Sequence, residues 1–552
     1  MPLIPVGVTD FRKLRLGSYY FIDKSMFIAD IMRTGAEVTL LPRPRRFGKT
    51  MNFSMLYRFL DMRQDNAELF EGLAVSNHQD VMDHLGSWPT VFMSFKDIKY
   101  SDFNSCLKGL AFLLGDLIEE HEELIENSNP SRGDRMVLDS VVNHDLEPVS
   151  MERTLKVLTK LIHRATGKKA IVLIDEYDMP IHSGYANGYY EEIISFMRNL
   201  LSGAFKDNDH LHKGVLTGIL RIAKESIFSG FNNPDVLTLL DEPFSEHFGF
   251  TETEVTKILE DVGMTNREAE VRKWYNGYRF GSHTIYNPWS IMKMAAHPHV
   301  PLQPHWVNTS DNMLIRKLIK DENVMARRDL ETLLSGEVLV KDISSSIVLG
   351  AINERALWSM LTFSGYLKVL NMNVIAQRII CELTIPNLEV SSFYDETVRD
   401  WIDEKVGNKG LAPLLNALLT ENIDLFSAIF SEIVVQMLSF HDTAGSEPER
   451  VYHTFMLGML AHLRGSYEVS SNRESGLGRY DVSLIPEDST KPAFLFEFKA
   501  GGEVPKQSAK DALEQIILKD YAATARSRGV SRIHALGVAV SGKTSFMETR
   551  LL

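Results

Sequence analysis

The stretch Val38-Thr39-Leu40-Leu41-Pro42-Arg43-Pro44-Arg45-Arg46-Phe47-Gly48-Lys49-Thr50 leaves a chain few ways to fold. An apolar run, a tight loop, Gly-Lys-Thr and then the helix-like segment Met51–Leu60 is the order that builds a phosphate cradle. Loop amides and the helix N-terminus face an anion, Lys49 reaches the β/γ-phosphates, Arg45, Arg46 and Gly48 complete the loop, and the Thr50 hydroxyl can ligate Mg²⁺. In the pattern G-x-x-x-x-G-K-[ST] the first glycine would fall at Arg43. A bare Gly-Lys-Thr is common by chance, and a helix start would account for it equally well. What raises it is Ala170-Ile171-Val172-Leu173-Ile174-Asp175-Glu176, a buried-strand run ending in two acids. Asp175 can hold Mg²⁺, and Glu176 can polarise an attacking water.

At 552 residues the chain has room for about three or four domains of ~150 residues each. Its net charge of −14 excludes a surface that coats nucleic acid indiscriminately. Any such contact needs a local basic patch, and Arg43, Arg45, Arg46 and Lys49 form one in sequence. The two cysteines, Cys106 and Cys381, lie in no C-x-x-C, which suits a reducing cytosol and excludes a multi-cysteine zinc site. No apolar run reaches the ~18 residues of a membrane span, and Met1-Pro2-Leu3 starts no signal peptide. The expectation is a soluble, cytoplasmic protein with no membrane partner, with room for a homo-oligomer.

Along the chain, Met26–Thr34 reads as a helix with Ser25 as N-cap, Val91–Phe95 as a strand, and Phe103–Glu126 and Met151–Thr166 as helices, the latter closed by Gly167. Tyr19–Lys24, just upstream of the loop, either walls an adenine or packs as an aromatic strand. A loop after Tyr177-Asp178-Met179-Pro180 precedes a helix from Tyr189 to Phe205, and Gly214–Arg221 reads as a buried strand. Thr217 and Arg221 near its end either sense the γ-phosphate and its water or simply pack there. Strands separated by helices over residues 38–220 imply a parallel, doubly wound sheet with the nucleotide at its carboxyl ends.

The middle of the chain favours helices at 309–334 and 352–363, and Thr251-Glu252-Thr253-Glu254 opens another with a capping box. Trp274–Tyr278 and Tyr286-Asn287-Pro288-Trp289 either stack on bases or fill a core. His297, His299 and His305 lack an acidic partner at ligand spacing. There is no G-x-S-x-G and no H-E-x-x-H, so serine-hydrolase and zinc-protease chemistry have no foothold.

Near the C-terminus, Tyr480–Ile485 and Ala493–Lys499 read as a hairpin around the polar turn Pro486–Pro492. Alternation puts Glu497 and Lys499 on one face and Phe494, Phe496 and Phe498 on the other, and the hairpin can bring Asp481 beside Glu497. Two carboxylates that hold Mg²⁺ or Mn²⁺ and a lysine that orients water suit metal-assisted phosphodiester hydrolysis. The helix Arg450–Arg464 precedes the hairpin, Glu449 at its start is a candidate further ligand, and Glu474 competes with it. Ser508–Ala525 reads as a helix capped by Ser508, and Ile533–Val540 as a closing strand. Gly542-Lys543-Thr544 is a decoy, because only Ser545–Leu552 remains to build a helix after it.

Tyr20-Phe21-Ile22-Asp23-Lys24-Ser25, Arg43–Thr50, Leu173–Asp178, Leu216-Thr217-Gly218 and Trp274-Tyr275-Asn276-Gly277-Tyr278 together resemble the bacterial AAA-ATPase-like family, whose members commonly carry a C-terminal PD-(D/E)xK nuclease-type domain. The resemblance covers nearly the whole chain and accounts for Arg43, since the family's loop has Arg-Pro-Arg-Arg-Phe-Gly-Lys. It implies an α/β chain: a P-loop NTPase over 1–240, a helical or winged-helix lid region over 241–400, and a restriction-endonuclease-like α/β domain over 401–552. Gln515, near Lys519 and Tyr521, matches the place of the resembled domain's glutamine; a solvated helix face is its other reading. What carries over is fold and site chemistry more than biological role; the function expected here is an ATPase, with ATP and Mg²⁺ as cofactors, controlling a nuclease that acts on DNA or RNA, with defence or mobile-element maintenance as a candidate setting. The alternative is an NTP-dependent switch whose C-terminal domain binds nucleic acid or protein without cleaving.

Overall fold

The computed structural model describes residues 2–222, 234–307, 327–334, 336–349, 353–406, 411–437, 456, 459–460, 463, 466–471, 474–475, 478–500, 504–541 and 544–552. The chain divides into two compact units, Met1–Leu314 with Val340–Glu389, and Ile315–Leu339 with Val390–Leu552.

The first unit is built on β1 (Val38–Pro42), β2 (Thr90–Ser94), β3 (Ala170–Asp175), β4 (Leu211–Gly218) and β5 (Asp235–Val236), a sheet of order β2-β3-β4-β1-β5. Every pairing in it is parallel. β1 and β3 are buried along their whole length, as continuous apolar runs must be when helices cover both faces. β4 stands between β1 and β3, so the phosphate loop after β1 and the acids after β3 emerge at the same carboxyl edge. A second sheet of order β6-β8-β7 joins β6 (Phe250–Thr251), β7 (Tyr278–Phe280) and β8 (His283–Tyr286), and a third of order β10-β11-β9 joins β9 (Leu339–Ile343), β10 (Lys368–Ile375) and β11 (Arg378–Thr384). The helix Glu252–Asp261 starts with the capping box that the sequence announces: the Thr251 hydroxyl accepts from the Glu254 N–H, and the Glu254 carboxylate accepts from the Thr251 N–H. Tyr275 and Tyr286 belong to the core of this segment rather than to an exposed stacking surface.

In the second unit, β12 (Tyr467–Ser471), β15 (Val482–Pro486), β16 (Ala493–Ala500), β17 (Ile533–Ser541) and β18 (Thr544–Leu551) form one mixed sheet in that order, while β13 (Glu474–Ser475) pairs with β14 (Gly478–Arg479). Only β16 and β17 run parallel within the sheet. Alternate residues of β16 serve opposite faces. Leu495 joins Leu513 and Ile516 of the helix Pro505–Leu518, and the Phe496 ring lies 6.1 Å from that of Phe426 on the helix Ile423–Met437.

Gly537 of β17 stands beside Glu497 in the register, and a Cβ there would lie 2.2 Å from the Ala509 carbonyl oxygen and 2.4 Å from the Leu513 nitrogen. The helix therefore packs with its backbone against the sheet at this one point. Gly537→Ala should destabilise the C-terminal unit by about 3 kcal/mol or more, since the obstructing atoms are backbone, and urea unfolding of the full chain measures it.

Several expectations are corrected. Phe103–Glu126 is two helices, Phe103–Glu120 and Glu122–Asn127, interrupted at His121, whose ring contacts the Leu117 carbonyl at 2.9 Å and the Thr90 carbonyl at 3.3 Å. The segment after Tyr177 is a helix, Met179–Asn187, because a proline in a first turn gives up an amide that has no helical partner. Ser25 makes no cap; its hydroxyl accepts from the Val75 N–H at 3.0 Å. The later helix starts at Pro505, so Ser508 lies within it, and it ends at Leu518 before a second helix, Ala523–Ser527. The strand that opens at Thr544, by contrast, agrees with the reading of Gly542-Lys543-Thr544 as a decoy. Residues 309–326, Glu449, most of Arg450–Arg464, and Gly542-Lys543 lie outside the described residues.

Candidate nucleotide and metal sites

A cavity of about 460 Å³ opens where β1 and β3 end, lined among others by Arg45, Arg46, Gly48, Lys49, Thr50, Glu176 and Trp289. Tyr20, Phe21, Ile22 and Lys24 line it as well, on the upstream segment where the sequence places either an adenine wall or strand packing. Gly48 adopts φ +85°, left-handed backbone that glycine reaches freely, and so turns the chain into the helix Lys49–Leu60. The Lys49 amine is buried at 4 % exposure and donates to the carbonyls of Arg43 at 3.1 Å and Pro44 at 3.0 Å. Burial pulls its pKa down, while Glu176, Asp175 and Asp178 pull it back up. Thr50 Oγ1 donates to Asp175 Oδ2 at 2.8 Å, and Ser94 Oγ donates to the same oxygen at 3.4 Å. The Asp175 carboxyl is pushed up to about 6 by burial and by Glu176 alongside it. Its Oδ1 is buried with no hydrogen-bond partner among the described residues. An unsatisfied buried oxygen beside a hydroxyl that already touches its twin is a donor set suited to a hard divalent cation. Glu176 follows at φ +52°, a strained conformation for a residue with a side chain, and half-buried on the cavity wall.

In the C-terminal unit, β15 and β16 pair Val482 with Phe496, which brings Asp481 and Glu497 alongside one another one step further on. Asp481 Oδ2 accepts the Phe498 N–H at 2.7 Å. Burial and Asp481 push the Glu497 carboxyl well above its ordinary range, with Lys519 and Lys499 opposing. Gln515 donates through Nε2 to Glu497 Oε1 and to the Tyr521 hydroxyl at 3.2 Å. Glu497 Oε2 is buried without a partner among the described residues. Here too the structure leaves one carboxylate oxygen unsatisfied where a cation would satisfy it. Among the described residues no group of three or more His, Cys, Asp or Glu gathers to hold a metal, so this site shows two carboxylates.

With both sites in view, the family comparison is decisive: a model described as a predicted AAA-ATPase matches residues 5–228, and one for the PD-(D/E)XK nuclease superfamily matches residues 447–550. The chain joins an AAA-ATPase-like domain to a PD-(D/E)XK nuclease-superfamily domain. Over 98% of its length it is 27% identical to an uncharacterized protein in the vnfD 5′ region of Azotobacter chroococcum mcd 1, of which it covers 96%. No solved structure matches it. No helix among the described residues is long and apolar enough to cross a membrane.

Within the AAA-ATPase-like domain the structure separates residues that the sequence groups together. Arg43 does not join Arg45, Arg46 and Lys49 in a surface patch. Its guanidinium is fully buried, donates to the carbonyls of Pro42 at 2.8 Å and Leu237 at 2.7 Å, and lies 5.1 Å from the Phe248 ring centre. Burial lowers its pKa to about 9. Arg46 is exposed, with its guanidinium 4.4 Å from the ring centre of Trp289. Neither Thr217 nor Arg221 lines the cavity. The Thr217 hydroxyl donates to the Leu41 carbonyl at 2.8 Å, which uses its hydrogen on strand packing, and Arg221 reaches Ser345 Oγ at 3.4 Å. Asp178, the second acid in line as a base, is buried, and its Oδ2 accepts the N–H groups of Ile219 and Leu220 at 2.9 and 2.8 Å and contacts His182 at 3.1 Å.

Within the PD-(D/E)XK domain the structure brings Asp481, Glu497 and Gln515 together, with Lys499 half-buried two positions after Glu497. Glu449 lies outside the described residues, and of Glu474 the structure describes the strand position alone. The residues that sequence reasoning missed are Ser94 and two around the phosphate loop, Trp306 and Glu389. Trp289 stood among the aromatics singled out. Trp306 and Glu389 belong to no motif, and Trp306 meets the loop from 261 positions away.

Proposed function

We propose that the protein binds and hydrolyses ATP and uses that cycle to control a metal-dependent nuclease. What carries the reading is the hydrogen bond from Thr50, which lines the cavity with Lys49 and Glu176, to the buried Asp175 carboxylate, whose other oxygen has no partner among the described residues. In this reading Lys49, Gly48, Arg45 and Arg46 hold the phosphates, Thr50 and Asp175 the Mg²⁺, and Glu176 turns the attacking water. Asp481 and Glu497 hold Mg²⁺ or Mn²⁺, Lys499 activates water against a phosphodiester, and Gln515 orients Glu497. A bound cation supplies a nucleophile from water and neutralises charge on the phosphate. We assign these roles to 1–240 and 401–552, with 241–400 as the lid region.

The test is a nuclease assay of the full-length protein on single- and double-stranded DNA and on RNA, with Mg²⁺ or Mn²⁺, with and without ATP. Cleavage that needs metal, responds to ATP and vanishes in Asp481→Ala is the expected result. ATP turnover with no cleavage of any substrate would favour a switch whose C-terminal domain binds without cutting. The two-carboxylate set among the described residues is the observation on that side.

A further inference from the structure

A phosphate loop usually bends through glycines. This one has Arg43 at the first glycine position and carries Arg46 at φ +68°, so its own residues do not favour its path. The path is imposed from outside. Pro44 packs where a Cβ on Gly365 would come within 3.2 Å, and Gly365 itself sits at φ +88°. The Arg45 carbonyl accepts from Trp306 Nε1 at 3.1 Å, the Arg46 guanidinium lies over Trp289, and the Phe47 carbonyl accepts the Gly249 N–H at 3.0 Å.

Trp306 is held in turn by Glu389. This buried carboxylate accepts the N–H groups of His305 at 2.6 Å and Trp306 at 2.7 Å on Oε1, and the Ser290 hydroxyl at 2.8 Å on Oε2. Trp289 Nε1 donates to the His305 carbonyl at 3.3 Å, so both tryptophans are tied to the same backbone. In a trans peptide the C=O of one residue and the N–H of the next point opposite ways. Pinning the Arg45 carbonyl toward Trp306 therefore turns the Arg46 N–H away from it.

We propose that Trp306 and Glu389 are positioning residues for nucleotide, holding the phosphate loop in its binding form before the ligand arrives. The proposal rests on the nucleotide reading above. Without the pin, the loop populates other conformations, and the apparent dissociation constant rises by the inverse of the fraction that stays competent.

The experiment is isothermal titration of full-length protein with Mg·ATP, beside thermal unfolding of the nucleotide-free protein. Trp306→Phe keeps an aromatic ring against Tyr278 and Tyr366 but removes the N–H together with part of the buried bicyclic ring, so some loss of thermal stability comes with it. It should weaken ATP binding about five- to ten-fold at a temperature where the nucleotide-free variant is still folded. Glu389→Gln retains an oxygen for the two N–H groups and should bind as the parent does, while Glu389→Ala should weaken binding at least as much as Trp306→Phe. Parental affinity in Trp306→Phe overturns the proposal, and so does an equal affinity loss in Tyr366→Leu, which thins the same packing but leaves the Trp306 N–H in place. Lys49→Ala, run alongside, separates the two ideas: retained affinity there sinks the nucleotide reading itself, whereas lost affinity there with parental affinity in Trp306→Phe sinks only the positioning role.

Discussion

Lys49→Ala should abolish ATP binding, at least a hundred-fold in affinity, because a desolvated ammonium in contact with phosphate is worth about 3 kcal/mol or more. The sequence alone suggests that a loop lysine matters little to the fold. The structure reaches the same expectation by another route. The amine is buried against two loop carbonyls with its charge disfavoured, so removing it relieves a desolvation cost while two acceptors lose a partner. Titration calorimetry with ATP on folded variant protein is the measurement, and unchanged affinity would remove Lys49 from the phosphates. Glu176→Gln should bind normally and lose about 10²- to 10⁴-fold in turnover, since the amide keeps the shape but not the charge that polarises water. Phosphate release decides it. Parental turnover would mean another base, with Asp178 the next candidate: its Oδ2 is engaged by the amides of Ile219 and Leu220 and by His182, while its Oδ1 has no hydrogen-bond partner among the described residues.

The second large effect belongs to the C-terminal carboxylates. Burial and then the neighbouring Asp481 charge raise the Glu497 carboxyl, and a divalent cation between the two carboxylates would offset that cost. Mn²⁺ should therefore bind at this site in the full-length protein and raise the stability of this unit by mass action, and Asp481→Ala or Glu497→Ala should erase that stabilisation and the share of Mn²⁺ bound there, leaving any binding at Thr50 and Asp175. The proton held by Glu497 must leave when the metal enters. Metal affinity should accordingly rise with pH through the raised pKa, and titration in two buffers of different ionisation enthalpy should register proton release. The sign for stability without metal is the opposite. A carboxyl raised above its ordinary value contributes stability at low pH that is lost as pH rises through its folded pKa. Lys499→Ala should keep metal binding and lose cleavage. Cleavage surviving both carboxylate variants would place the active site elsewhere.

Local order was legible in the sequence wherever the chain's own neighbours decide it. The run into Gly48-Lys49-Thr50, the strand ending at Asp175, the Thr251–Glu254 capping box and the alternation that puts Glu497 opposite its flanking phenylalanines all follow from spacing. Each depends on hydrogen bonds or side-chain directions set within a few residues. Helix ends were less legible. Those at His121 and Pro505 depend on a ring reaching a distant carbonyl and on a proline that can begin a helix as readily as end one.

Only the tertiary structure decided which members of each motif meet. It turned Arg43 into the interior, spent the Thr217 hydroxyl on β1, bound Asp178 Oδ2 to two amides, and left one oxygen each of Asp175, Asp178 and Glu497 without a partner among the described residues. It also brought Trp289, Trp306 and Glu389 around the phosphate loop from far along the chain. The physical reason is that a side chain's donors go to whatever packing brings within reach. Residue type states what bonds are available, and the sheet order β2-β3-β4-β1-β5 with the segments folded over it determines who receives them.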